Sequence, residues 1–228
     1  MFNLKRYEDL IKSLVNSGLK PTTNWNEKLS LNSLLIRHDV DFNIEYAHRL
    51  ALFEYQLKIC STFFFMLCSN LYNPLSAHNK KLIKDIADMG HKVSIHFDPT
   101  VYESLECLRY EKNIFENIFG KKVDIVSIHR PKHFLDNNDI KLSGTPQTYQ
   151  DVFFKNMKYI TDSAGKDVFP QITKYLEEPR KFGLHLLTHP IWWMGIGSNP
   201  TEIIDTWRNE SLDFITSEIK NNCKVYKN

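Results

Sequence analysis

Apolar residues follow two alternating rhythms along this chain. From Phe2 to Asn16, Leu4, Tyr7, Leu10, Ile11, Leu14 and Val15 recur at helical spacing, with Gly18 just beyond. A polar connection containing Pro21 leads to a strand-like run from Leu34 to His38. Helical spacing returns with Tyr46, Leu50, Phe53 and Leu57. Ile59 to Met66 is then nearly continuous apolar sequence (Cys60, Phe63, Phe64, Phe65), as expected of a strand buried on both faces. Ser76 to Met89 predicts an amphipathic helix stopped by Gly90, Lys92 to Phe97 a third strand, and Tyr102 to Phe119 a long helix stopped by Gly120. Val123 to Ile128 reads as a fourth strand. A long loop from His129 to Tyr149, marked by Pro131, Gly144 and Pro146, precedes further strands at Asn156 to Thr161 and Gly183 to Thr188. A short helical piece is expected around Ile172 to Leu176 and a closing helix from Thr201 to Asn221.

Strand alternating with helix implies parallel strands joined by crossover helices. Six strands and an irregular seventh fit a distorted (β/α) barrel of about seven parallel strands, with an open doubly wound sheet as the alternative. In either architecture a site belongs at the carboxyl ends of the strands. No repeat or linker divides the chain, so residues 1–228 are expected to form a single domain.

Composition narrows the functional classes. Hydrophobic residues make up 42% of the 228 positions and aromatics 13%, enough for a substantial core. A formal net charge of +2, with basic and acidic residues interspersed, points away from nucleic acid and anionic membranes as partners. The first residues carry acids and lack the apolar core of an export signal. No run approaches the ~20 apolar residues needed to cross a bilayer. A cytoplasmic protein without a membrane span is expected. Cys60, Cys68, Cys107 and Cys223 form no CxxC pair, and Cys60 and Cys68 read as reduced core residues.

Chemistry gathers where the strands end. Leu34-Leu35-Ile36 runs into Arg37-His38-Asp39-Val40-Asp41. Two carboxylates at the mouth of a buried strand repel unless a proton or a cation lies between them. As simple helix-entry residues they would instead favour the dipole of the following helix. The later strands end in His96-Phe97-Asp98, His129-Arg130-Pro131, Thr161-Asp162-Ser163 and Thr188-His189-Pro190. Imidazoles and carboxylates brought together by parallel strands suit zinc and related divalent ions. Such an ion acidifies bound water and polarises a carbonyl. A neighbouring carboxylate and imidazole can then serve as base and acid. Asp162 reads either as a substrate-side residue or as a helix N-cap. Trp192 and Trp193 read as core, or as a face on which a sugar ring could stack. His91 is expected in a turn or at the surface, His185 in the core, and His38 on the far side of its strand.

These segments resemble the polysaccharide deacetylases, the NodB-homology superfamily, over roughly residues 34 to 193. Arg37-His38-Asp39-Val40-Asp41 stands where that family has Thr-Phe-Asp-Asp-Gly. It resembles an HDVD-type branch associated with surface polysaccharide synthesis. Gly90-His91-Lys92-Val93-Ser94-Ile95-His96, His129-Arg130-Pro131, Asp162-Ser163 and Leu187-Thr188-His189 are similar to the later motifs. The resemblance implies a distorted barrel of seven strands. It also implies a metal-dependent hydrolase removing an N-acyl group, acetyl or formyl, from a nucleotide-, lipid- or oligosaccharide-linked amino sugar. Asp39 would be the base, Arg130 its orienting partner, His189 the acid, and Asp41 and His96 ligands of a divalent ion, zinc. Two departures stand out: the family's second ligand histidine is Thr100 here, with Asp98 or His129 as substitutes, and Val40 separates two normally adjacent carboxylates. A sugar-binding protein on a decayed deacetylase fold, or a metal hydrolase of another amide or ester, are the rival expectations.

Overall fold

The computed structural model describes residues 2–25, 29–134 and 141–226. Part of the expected loop between His129 and Tyr149 therefore lies outside the described residues. In chain order the elements are α1 (Leu4–Asn16), β1 (Lys20–Pro21), β2 (Ser33–Val40), α2 (Ile44–Gln56), β3 (Thr62–Phe65), α3 (Ala77–Asp88), β4 (Lys92–Phe97), α4 (Leu108–Phe119) and β5 (Val126–Ile128). They continue with α5 (Asp151–Phe154), β6 (Lys158–Thr161), α6 (Phe169–Glu177), β7 (Leu184–Thr188), α7 (Pro190–Met194) and α8 (Pro200–Asn222). Polar side chains set the helix starts: Asn3, Asn43 and Ser76 each accept a backbone N–H of the first turn of α1, α2 and α3. At the other end, Gly120 terminates α4 in the left-handed region at φ 65°, a conformation most side chains resist. The long helix expected from Tyr102 begins only at Leu108, because Tyr102 is extended and Ser104 caps a separate 3-10 turn, Leu105–Cys107, ahead of it.

The strands form one sheet in the order β5-β4-β3-β2-β7-β6, with β1 beside the start of β2. Every strand pairing among the described residues is parallel. The sheet is strongly curled. β2 and β5 are three strand spacings apart, about 14 Å in a flat sheet, yet the Ser127 hydroxyl on β5 lies 3.0 Å from Asp39 Oδ1 on β2. On the open side, residue 147 pairs with Val126, and Tyr149 meets Tyr159 of β6 with ring centroids 6.2 Å apart. The architecture is thus a distorted (β/α) barrel whose last gap is spanned by side chains and an irregular segment.

Alternation along the strands sorts the residues into layers. Phe63, Phe65, Val93, Ile95, Phe97, Val126 and Ile128 point outward and pack in a cluster with Ala47, Ile83 and Phe115 of the helices. Leu34, Ile36, Leu184 and Leu186 do the same towards α1, α6 and α7. The inward set includes Leu35, Phe64 and Ile125, which fill the barrel floor with Trp25, Phe153 and Met157. Above that floor the inward positions turn polar: Arg37, Asp39, Ser94, His96, Ser127 and His185 are all buried. Among the described residues no helix is long and apolar enough to cross a membrane. The four cysteines are free, as expected, but Cys60 and Cys68 are exposed rather than core, since both lie just outside the buried span of β3.

Candidate active site and metal centre

Arg37 and Asp39 share the inner face of β2. Arg37 donates from Nε to Asp39 Oδ1 at 2.8 Å and from Nη2 to Oδ2 at 2.6 Å, with both side chains almost fully buried. The guanidinium also lies 4.7 Å above the Tyr149 ring. Burial opposes the charge on Asp39, but Arg37 outweighs it and holds the carboxyl well below the usual range. The arginine paired with Asp39 is thus Arg37, not Arg130. Arg130 is exposed, and among the described residues its side chain makes no hydrogen bond or ion pair. Arg130 lies beyond the end of β5 on a left-handed residue, φ 51°.

Asp41 follows two residues after Asp39 and turns to the same side. Its Oδ1 is buried without a hydrogen-bond partner. It lies 3.2 Å from His96 Nε2 and 3.7 Å from His129 Nδ1, and those two nitrogens are 3.2 Å apart. Four ligands about 2.1 Å from a tetrahedral zinc ion stand about 3.4 Å from one another. The three atoms therefore fit one divalent ion, with a coordination position to spare. Burial disfavours charge on Asp41, yet the imidazoles around it, His189 among them, keep it ionised, while burial pushes His129 towards the neutral form in which an imidazole can ligate.

Asp98 does not join this group. Its Oδ1 accepts the backbone N–H of Thr100 at 2.9 Å and the Thr100 hydroxyl at 2.6 Å, capping the 3-10 turn after β4. Of the two substitutes expected for the missing histidine, the structure brings His129 into the cluster and leaves Asp98 outside.

His189 follows β7, the strand beside β2, its Nε2 3.8 Å from Asp41 Oδ2. Its Nδ1 donates to Asp162 Oδ1 at 2.6 Å, and Asp162 Oδ2 accepts the His189 backbone N–H and Trp193 Nε1. Burial works against an imidazolium there, but Asp162, Asp41 and Asp39 raise His189 to about 9. Asp162 is fully buried, so it orients His189 and cannot meet a substrate as the sequence allowed. Trp192 is likewise no sugar platform: it is 8% exposed and stacked on Phe2, with ring centroids 6.2 Å apart.

Sequence reasoning missed Arg37 and Ser127. Both follow from the period of two: Arg37 precedes Asp39 by two residues on β2, and Ser127 precedes His129 by two on β5. On the outer face, His38 lies between Thr188 (2.7 Å) and Glu54 of α2 (3.0 Å). Glu54 is fully buried and also accepts from Tyr7 and Ser61. His91, expected at a turn or surface, is buried beside this carboxylate, with Nε2 on the Ala51 carbonyl at 2.9 Å. His185 lies in the barrel core as expected, its Nδ1 donating to the Phe153 carbonyl at 3.0 Å.

No family model and no curated protein matches the chain. Among solved structures, similar chains include a CE4 family pseudoenzyme from Bacillus anthracis, at 15% identity and TM-score 0.44, with 83% of this chain and 62% of that one covered. The peptidoglycan deacetylase PdaC from Bacillus subtilis is similar at 12% identity and TM-score 0.47, covering 90% of this chain and all of that one. A family 4 acetyl xylan esterase from Clostridium thermocellum, in complex with a cobalt ion, is similar at 12% identity and TM-score 0.41, with 83% and 84% covered. The chain spans under two thirds of the length of the first of these relatives.

Proposed function

We propose that this chain is a metal-dependent hydrolase that removes an N-acetyl or N-formyl group from an amino-sugar precursor of a surface polysaccharide. The observation that carries this reading is the Asp41–His96–His129 triangle flanked by Asp39 on one side and His189 on the other. A purely structural ion site has no use for an ionised carboxylate and a protonated imidazole beside it. The motif resemblance supplies the sugar and acyl classes.

Asp41, His96 and His129 would hold the ion, and two nitrogens with one carboxylate oxygen suit zinc. When bound, such an ion supplies an acidified water and polarises the acyl carbonyl. Asp39 Oδ2, 3.7 Å from His96 Nε2, lies where it can orient that water and take its proton. Asp39 is a weak base, because Arg37 stabilises its charge so strongly, and its contribution is mainly one of position. His189 is charged at neutral pH and presents Nε2–H next to Asp41, suited to protonate the departing amine. Asp162 keeps that imidazole charged and aimed.

The test is metal content and turnover on the same preparations. Purified protein incubated with zinc should retain about one ion per chain by elemental analysis. It should release acetate or formate from N-acylated sugar nucleotides, and Asp39→Asn and His189→Gln should each lose at least ~100-fold in turnover. Metal retention with no acyl release from sugar nucleotides, lipid-linked sugars or oligosaccharides would refute the assignment.

A further inference from the structure

We propose that Ser127 is a positioning residue that fixes the tautomer of His96, leaving its Nε2 lone pair free for the metal. This rests on the reading of Asp41, His96 and His129 as ligands.

Ser127 Oγ is fully buried and touches three groups. Arg37 Nη2 lies 2.5 Å away, the two Asp39 oxygens 3.0 and 3.1 Å away, and His96 Nδ1 2.8 Å away. A hydroxyl has one proton to give and two lone pairs to fill. The guanidinium can only donate, so it occupies one lone pair. Asp39, bound to that guanidinium through both oxygens, is ionised and can only accept, so the serine proton goes to it. One lone pair remains, facing His96 Nδ1, and His96 must donate there. A neutral imidazole carrying its proton on Nδ1 has a bare lone pair on Nε2. That is the nitrogen facing Asp41 Oδ1 and His129 Nδ1. The alternative arrangement, with Ser127 donating to His96, would turn the serine's lone pairs against the Asp39 carboxylate. The Arg37–Asp39 pair thereby reaches across the barrel and selects the tautomer of a ligand on another strand. Such supporting partners are worth 10–100-fold in metal affinity.

The experiment uses the whole chain, as wild type, Ser127→Ala and Ser127→Thr. Nitrogen-15 shifts of the His96 ring should show a proton on Nδ1 in wild type and in Ser127→Thr, and partial loss of that proton in Ser127→Ala. Zinc affinity, measured by chelator competition, should fall 10–100-fold in Ser127→Ala and recover in Ser127→Thr. An Nε2–H tautomer in wild-type protein overturns the inference, whether or not Ser127→Ala folds. Equal zinc affinity in wild type and Ser127→Ala also overturns it, with the ligand assignment left standing. Absence of zinc binding in wild type strikes the ligand assignment itself, which the ring shifts of metal-free protein report separately.

Discussion

Arg37 and Asp39, two residues apart on β2, are joined by two parallel hydrogen bonds inside the barrel, both side chains almost fully buried. A single strand thus carries both the carboxylate at the site and the cation that keeps it ionised. Replacing Arg37 by Met should leave Asp39 buried and uncompensated. Removing one partner of a buried pair costs about 3–5 kcal/mol. Urea titration of Arg37→Met should show a loss in that range, with part recovered in the Arg37→Met, Asp39→Asn double variant.

His129 and Asp98 give opposite expectations for the metal. His129→Gln removes one corner of the triangle and should weaken zinc binding by well over tenfold. Asp98→Asn keeps an oxygen for Thr100 and should leave zinc affinity within about twofold of wild type. Calorimetric titration of both variants with zinc decides between the two residues.

Asp162 controls the charge of His189. In metal-free protein His189 is raised to about 9, above the ~6.5 of an unfolded histidine. Its contribution to stability is therefore fully present below about pH 6.5 and is lost as pH rises through 9. The shift corresponds to at most about 3.5 kcal/mol. Asp162→Asn should flatten stability between these limits and bring the His189 titration, followed by NMR, down by at least a unit.

His185 has the opposite sense. Full burial, together with Arg37, lowers it to about 3. Its neutral form adds stability above about pH 6.5, and that contribution is lost as pH falls towards 3 while the unfolded chain takes up the proton. His185→Gln can still donate to the Phe153 carbonyl but cannot titrate. Between pH 7 and pH 4 it should lose less stability than wild type, by about 2 kcal/mol or more, measured by denaturant midpoints.

The alternation of parallel strands and helices could be read from the sequence because strands such as Thr62–Phe65 are apolar runs and helices such as α1 carry an apolar stripe. β1 and α7 could not. Two residues of strand have no period, and Trp192 and Trp193, ordinarily core residues, carry no helical spacing that would set α7 apart. The ionic and imidazole groups at the strand ends were visible as residue types, and their partners were not. Arg130 attracted attention through a motif, yet its partnership depends on reach across the barrel, where Arg37 already occupies Asp39. Asp162 looked like a substrate-side group because nothing in the sequence reveals that Trp193 and His189 enclose it. Val40, which seemed to disturb the pair of carboxylates, is what puts Asp39 and Asp41 on one side of an extended chain.

The double-sided polarity of β2 has a consequence for folding fidelity. Hydrophobic strands guard poorly against a shift by one residue when both faces are apolar, since Leu34, Leu35 and Ile36 are nearly interchangeable. In β2 the same shift would drive Arg37 and Asp39 among the helix side chains, strand Glu54 without His38, and put an imidazole where the barrel holds a guanidinium. Each misplaced charge would be buried without its partner. The groups assembled for chemistry at one end of the strand therefore also act as an alignment key for the central strand of the sheet, rejecting mispaired barrels that the apolar residues alone would tolerate.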